Sequence, residues 1–166
     1  VTPWAASRRR DGQRVRGGVE GGGDCGGDAR VQELVERLPQ GAYGQTPVHF
    51  VGHLQTNKVN KVVGHVDLIQ SVDRLELLAA IEKQAAKLGL VQKILFEVNI
   101  GAEDSKSGLT PAGAMDAASH MAEYPHCHVE GLLAIPPITV EPGGNPEYFA
   151  PELTLIVARR ANKYDK

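Results

Sequence analysis

Cysteine is scarce in this 166-residue chain: Cys25 and Cys127 stand far apart, and neither belongs to a CxxC pair. That excludes a disulfide framework and a zinc site, and both are read as reduced thiols. An excess of one charge is lacking too. Eighteen basic side chains face twenty acidic ones, for a net charge of −2 and a pI near 6.3, which gives no general pull toward nucleic acid or an anionic membrane. No run approaches the roughly 20 apolar residues that cross a bilayer. The amino end has no basic segment followed by an apolar stretch and a small-residue cleavage site, so a cytoplasmic, soluble protein is expected. There is no GxSxG, no P-loop and no GxGxxG with its acidic partner, which removes the common hydrolase and nucleotide-binding signatures.

What is present suffices for one buried core, with 42% hydrophobic and 23% charged residues. The composition is uneven. Residues 1–27 hold 8 of the 19 glycines and the arginines Arg8, Arg9, Arg10, Arg14 and Arg16, while Gly17 to Gly27 offers only Val19 and Cys25 as apolar anchors. Glycine raises the entropy lost on ordering, so this Gly/Arg-rich segment is expected to be irregular, with Arg8–Arg10 as a solvated tail rather than a phosphate or RNA contact. Residues 28–166 form the expected domain.

From Asp28 onward, short apolar runs alternate with helix-period segments. Strands are expected at 48–54, 66–72, 93–100 and 129–135, each rich in Val, Ile and Leu. The clearest helix covers 73–88: Asp73 is placed to cap it with Glu76 completing a capping box, Leu77, Leu78, Ile81, Ala85 and Leu88 share a face, and Gly89 ends it. A second runs from the Thr110-Pro111 cap to about Tyr124. Weaker ones are expected at 28–38, opening at Asp28 with Val31, Leu34, Val35 and Leu38 on one side, and at about 147–164. Strands joined through helices pair in parallel, so the fold class is α/β. A closed (β/α)₈ barrel usually needs roughly 200 residues or more. About four clear βα units therefore imply a partial TIM-type barrel.

In such folds the working residues leave the carboxyl ends of strands. Two loops qualify. In His53-Leu54-Gln55-Thr56-Asn57-Lys58, amide side chains and backbone donors are placed to meet a polar ligand, although Thr56 and Asn57 also suit a plain helix start with Lys58 and Lys61 in solvent. In Asn99 to Gly108, Glu97 and Asn99 share the strand face opposite Phe96 and Val98, and polar groups on a barrel-lining face need partners or a ligand. Lys106 is the only lysine of that loop, able to contact a phosphate or attack an aldehyde, or else to pair with Glu103 or Asp104 in solvent. The histidines suggest no metal. His49 and His53 would stand about 13 Å apart along a strand, and His126 and His128 flank Cys127 in a connection where solvent is the expected partner.

The segments His49-Phe50-Val51-Gly52-His53-Leu54-Gln55-Thr56-Asn57-Lys58, Ser71-Val72-Asp73, Val98-Asn99 followed by Glu103-Asp104-Ser105-Lys106-Ser107-Gly108, and Gly131-Leu132-Leu133-Ala134-Ile135 together resemble the pyridoxal phosphate homeostasis protein family. The resemblance covers about residues 28–165 and agrees in order and spacing. It implies a barrel similar to the amino-terminal domain of alanine racemase that binds pyridoxal phosphate as a Schiff base. It also implies an intracellular carrier or regulator of the free cofactor without catalytic turnover, with pyridoxal phosphate-dependent apoenzymes as partners. Position by position it carries over Lys106 as a secondary cofactor contact, and Asn57 and Asn99 near the barrel mouth.

The departures bear on binding. The family places its Schiff-base lysine on an early strand in a Val-Ser-Lys-Thr-like context, whereas residues 1–27 contain no lysine. Its Gly-Glu-Asn-x-Val-Gln-Glu motif reads here as Gly27-Asp28-Ala29-Arg30-Val31-Gln32-Glu33, with Ala29 in place of the cofactor-side asparagine. The Ser-x-Gly-Met-Ser and Arg-x-Gly strands that hold the phosphate in the family are not found before Lys166, so truncation there and weakened binding are expected. Two alternatives differ in class. One is a racemase- or decarboxylase-like enzyme on the same barrel; the other is a fragment that keeps only an interaction surface and self-associates through open sheet edges.

Overall fold

Alternating apolar runs become a single sheet in a computed structural model that describes residues 4–7, 25–100 and 107–134. In chain order the elements are β1 (Trp4–Ser7), β2 (Cys25–Asp28), α1 (Val31–Arg37), β3 (Val48–Phe50), a 3₁₀ turn (Thr56–Lys61), β4 (Leu68–Val72), α2 (Leu75–Leu88), β5 (Gln92–Val98), α3 (Pro111–Ser119), a short 3₁₀ turn (Met121–Glu123) and β6 (Cys127–Ala134). Every strand pairs in parallel with the next, in the order β1-β2-β3-β4-β5-β6. A doubly wound sheet reverses its order at a switch point; this one never does, which is the order of a (β/α) barrel wall.

Side-chain alternation decides what each sheet face does. Val48, Phe50, Ile69, Ile94 and Phe96 turn to the helices and share one core with Leu77, Leu78, Ile81 and Ala85. Each such side chain, fully buried, stabilises the fold by about 1.5–3 kcal/mol. The opposite face carries partly exposed polar residues, among them His49, Gln70 and Glu97.

The helix expected over 73–88 forms as Leu75–Leu88 with Leu77, Leu78, Ile81 and Ala85 buried as their spacing predicts and Leu88 exposed, and Gly89 ends it at φ 65°. Thr110 also caps as expected: its Oγ1 accepts from the Gly113 N–H at 3.0 Å, with Pro111 in the first turn of α3. Two predicted caps do not form. Arg74, not Asp73, occupies the cap position of α2, without a side-chain cap bond, and the Asp73 carboxylate is taken by His53 and by Arg74 itself. Asp28 ends β2 instead of opening a helix, and α1 starts at Val31 with Val35 exposed rather than buried.

The expectation of irregular structure through residue 27 is corrected at two places, since β1 and most of β2 lie within that segment. Glycine there serves packing. A Cβ on Gly26 would lie 2.8 Å from the ring of Tyr43, so position 26 takes a side chain only if that ring moves. Tyr43 and Arg37 both bond to the buried carboxylate of Asp28, and Arg37 also meets Glu33 at 3.0 Å. Burial, reinforced by the carboxylate of Asp28, raises the Tyr43 hydroxyl well above its ordinary pKa, so it stays a donor. Residues 8–24 and the helix expected at 147–164 lie outside the described residues.

Candidate functional site

Three consecutive loops at the carboxyl edge of the sheet enclose an open cavity of about 760 Å³. From the β3 loop come His53, Gln55, Thr56 and Asn57; Asp73 and Arg74 follow β4; Ser107 and Gly108 close the loop after β5. All of these positions follow strands, where parallel α/β folds place ligands.

Local bonds explain why the loops hold this shape. The chain leaves β3 early because Gly52 lies against the backbone of the β2 loop: a Cβ there would be 1.7 Å from the Ala29 carbonyl oxygen. Val51 N–H donates to the Asp28 carbonyl at 2.9 Å, and the Ser71 hydroxyl donates to the Gly52 carbonyl at 2.6 Å. Farther along, the loop is clamped from α2. His53 Nδ1 lies 3.1 Å from Asp73 Oδ2, Arg74 bonds to the other oxygen of Asp73, and Arg74 Nη2 donates to the Leu54 carbonyl at 2.9 Å.

On the β5 side, Asn99 N–H donates to Leu109 O at 3.0 Å and Leu109 N–H donates to Glu97 O at 2.8 Å, which ties the base of the loop. Gly108 sits at φ +127°, with a would-be Cβ only 2.7 Å from the Asn99 nitrogen, so only glycine fits this turn of the loop. The Ser107 hydroxyl donates to Glu97 Oε1 at 3.1 Å. Burial pushes the Glu97 carboxyl above the usual carboxylate range; Ser107 opposes that shift, the charge of Asp73 adds to it and His53 opposes it. His53, Asp73 and Glu97 thus form one electrostatically coupled, acceptor-rich wall.

The expected site residues separate. Asn57 lines the cavity. Asn99 lies beside Gly108 at the base of the β5 loop rather than on the lining. Lys106, with Glu103 and Asp104, falls outside the described residues. Asp73 suits a helix cap in the sequence and Arg74 carries no signal of its own, although their position directly after β4 marks both.

The remaining histidines stand elsewhere. His49 pairs with Gln70 at 2.9 Å, and burial lowers its pKa against the pull of Asp67. His126 is held by Glu82, through Nδ1 at 2.7 Å and its N–H at 2.9 Å, rather than being left to solvent. Among the described residues no group of three or more His, Cys, Asp or Glu is arranged to hold a metal, and no helix is long and apolar enough to cross a membrane. Buried Cys127 has its thiol pushed up to about 12, by burial first and by Glu82 second. Iodoacetamide at pH 8 should therefore leave Cys127 unmodified in the folded chain and label it in urea, as peptide mapping would read; labelling at equal rates in both would contradict its burial.

A sequential parallel sheet with a polar cavity at its carboxyl edge defines a partial (β/α) barrel of the ligand-receiving kind. The chain belongs to the alanine racemase N-terminal domain family, whose profile matches residues 12–159 and so begins inside the Gly/Arg-rich segment. It is 38% identical over 130 residues to the pyridoxal phosphate homeostasis protein of Aquifex aeolicus, a match covering 76% of this chain and 57% of that protein. The chain thus spans little more than half the length of that relative. Among solved structures it is similar to PipY of Synechococcus elongatus with pyridoxal phosphate bound, at 24% identity and a TM-score of 0.83 over 98% of this chain and 76% of that one. It is also similar to an alanine racemase from Clostridium difficile, at 14% identity and a TM-score of 0.77 over 98% of this chain and 43% of the enzyme. Those two likenesses speak for the fold.

Proposed function

We propose that the chain binds pyridoxal phosphate in the cavity at the carboxyl edge of β3, β4 and β5, and serves intracellular homeostasis of that cofactor as a carrier without turnover. The observation that carries this reading is the convergence of three loops on one polar cavity, in a chain whose relative from Aquifex aeolicus bears the homeostasis name. Cytoplasmic location and delivery to pyridoxal phosphate-dependent apoenzymes belong to the same proposal. So does self-association, supported by β1 and β6 each pairing on one side only among the described residues.

The residues fit the cofactor in a particular way. When bound, it supplies an aldehyde that a lysine amine can hold. His53, Asn57 and Ser107 offer polar contacts for a substituted pyridine ring, with Glu97 holding the Ser107 hydroxyl. No lysine stands among the described lining residues; Lys106 is joined directly to Ser107 on the wall and is the proposed point of attachment, with Asn57 as a supporting contact and Asn99 holding the base of that loop. β1 helps explain the missing anchor. Directly after β1 the sequence reads Arg8-Arg9 where the resemblance expects Lys-Thr after Val-Ser, and a guanidinium stays protonated and does not attack an aldehyde.

A racemase-like enzyme would need an acid and a base across the cofactor, and a coupled racemase assay separates that reading from the carrier. The test is an absorbance titration with pyridoxal phosphate. Saturable binding, weakened severalfold by Asn57→Leu, is expected, and Arg8→Lys should add a second, borohydride-trappable attachment. A linear, unsaturable response of the wild-type chain would overturn the proposal.

A further inference from the structure

The ring of His53 is held from one side. Its Nδ1 faces Asp73 Oδ2 at 3.1 Å, Arg74 bonds to the second oxygen of Asp73, and Arg74 Nη2 returns to the carbonyl of Leu54, the residue after His53. This closed circuit ties the β3 loop to the start of α2. It also selects a tautomer. An ionised carboxylate only accepts, so in the neutral ring Nδ1 carries the hydrogen and Nε2 keeps a lone pair.

Burial is divided the same way: the Asp73 side chain is 4% exposed and that of His53 57%. His53 lines the cavity, and no hydrogen bond links its Nε2 to a described residue. With Asp73 behind it and Glu97 beside it, this wall is rich in acceptors, whereas a phosphate brings acceptors of its own.

We infer that His53 is a ligand-contacting residue, positioned by Asp73 and Arg74, whose Nε2 accepts a hydrogen bond from a ring O–H or N–H of a heteroaromatic ligand. The ligand class rests on the cofactor reading above; the tautomer is a property of the free chain. A phosphate group would accordingly lie away from this wall.

Two measurements on the full chain test this. Nitrogen-15 spectra of histidine-labelled protein should show His53 as the Nδ1–H tautomer, a preference lost in Asp73→Asn; an Nε2–H tautomer in the wild type would overturn the inference. Titration with pyridoxine 5′-phosphate, which keeps the ring hydroxyl and phosphate but has no aldehyde, should give about tenfold weaker binding in His53→Leu. His53→Gln, which restores an acceptor, should recover part of it, with circular dichroism confirming that both variants fold. Equal affinity in wild type and His53→Leu would overturn this inference alone. No binding by the wild type would overturn the cofactor reading, and the inference with it.

Discussion

Gly52→Ala should destabilise the chain by about 3 kcal/mol or more, because the added Cβ would fall 1.7 Å from the carbonyl oxygen of Ala29 and two backbones would have to part. The contact is backbone on backbone, so no side-chain rotation can relieve it. Separation would also disturb the bond from Val51 N–H to Asp28 O and the bond from Ser71 to Gly52 O. The His53 loop would move with them. Urea unfolding of Gly52→Ala should show a lower midpoint with an unchanged slope, together with weaker ligand binding. A midpoint equal to that of the wild type would show that the β2 and β3 loops do not meet as described.

Asp28→Ala should cost about 3–5 kcal/mol, a large part of the 5–15 kcal/mol that holds a domain folded. Asp28 and Arg37 are 1% and 4% exposed, so removing the carboxylate takes one of its ion pairs from a buried guanidinium that also meets Glu33 at 3.0 Å. The same substitution takes the acceptor from Tyr43, whose hydroxyl is buried in the same cluster. Replacing Asp28 and Arg37 together by apolar residues of similar size should recover part of the loss, since the single variant leaves the buried guanidinium with one carboxylate fewer. A double-mutant cycle read by thermal or urea unfolding measures this; equal losses in the single and double variants would remove the pair as the cause.

Much of the fold was legible because local and global signals agree. In α2, apolar spacing and Gly89 point the same way, and in α3 the Thr110-Pro111 start is a local device that needs no tertiary help. β3, β4, β5 and β6 appear near their expected positions, with β3 shortened where Gly52 meets the neighbouring loop. β2 was hidden because its sequence, Cys25-Gly26-Gly27-Asp28, has almost no strand propensity of its own; the ring of Tyr43 fills the space that a side chain at Gly26 would need. Asp73 and Asp28 were misplaced for a shared reason. A carboxylate next to a helix start suits a cap locally, and partners brought by the fold, His53 for Asp73 and Arg37 with Tyr43 for Asp28, claimed both. Of the site, the loop after β3 was legible from its position, while the joining of His53 to Asp73 needs the register of β3 beside β4.

The decisive measurement is borohydride reduction of the purified chain saturated with pyridoxal phosphate, followed by peptide mapping. Attachment through the loop after β5 predicts one equivalent of label on Lys106, lost in Lys106→Arg. Label spread over the exposed Lys58, Lys61 and other surface lysines, or no label at saturation, would contradict the assignment of this cavity as the cofactor site.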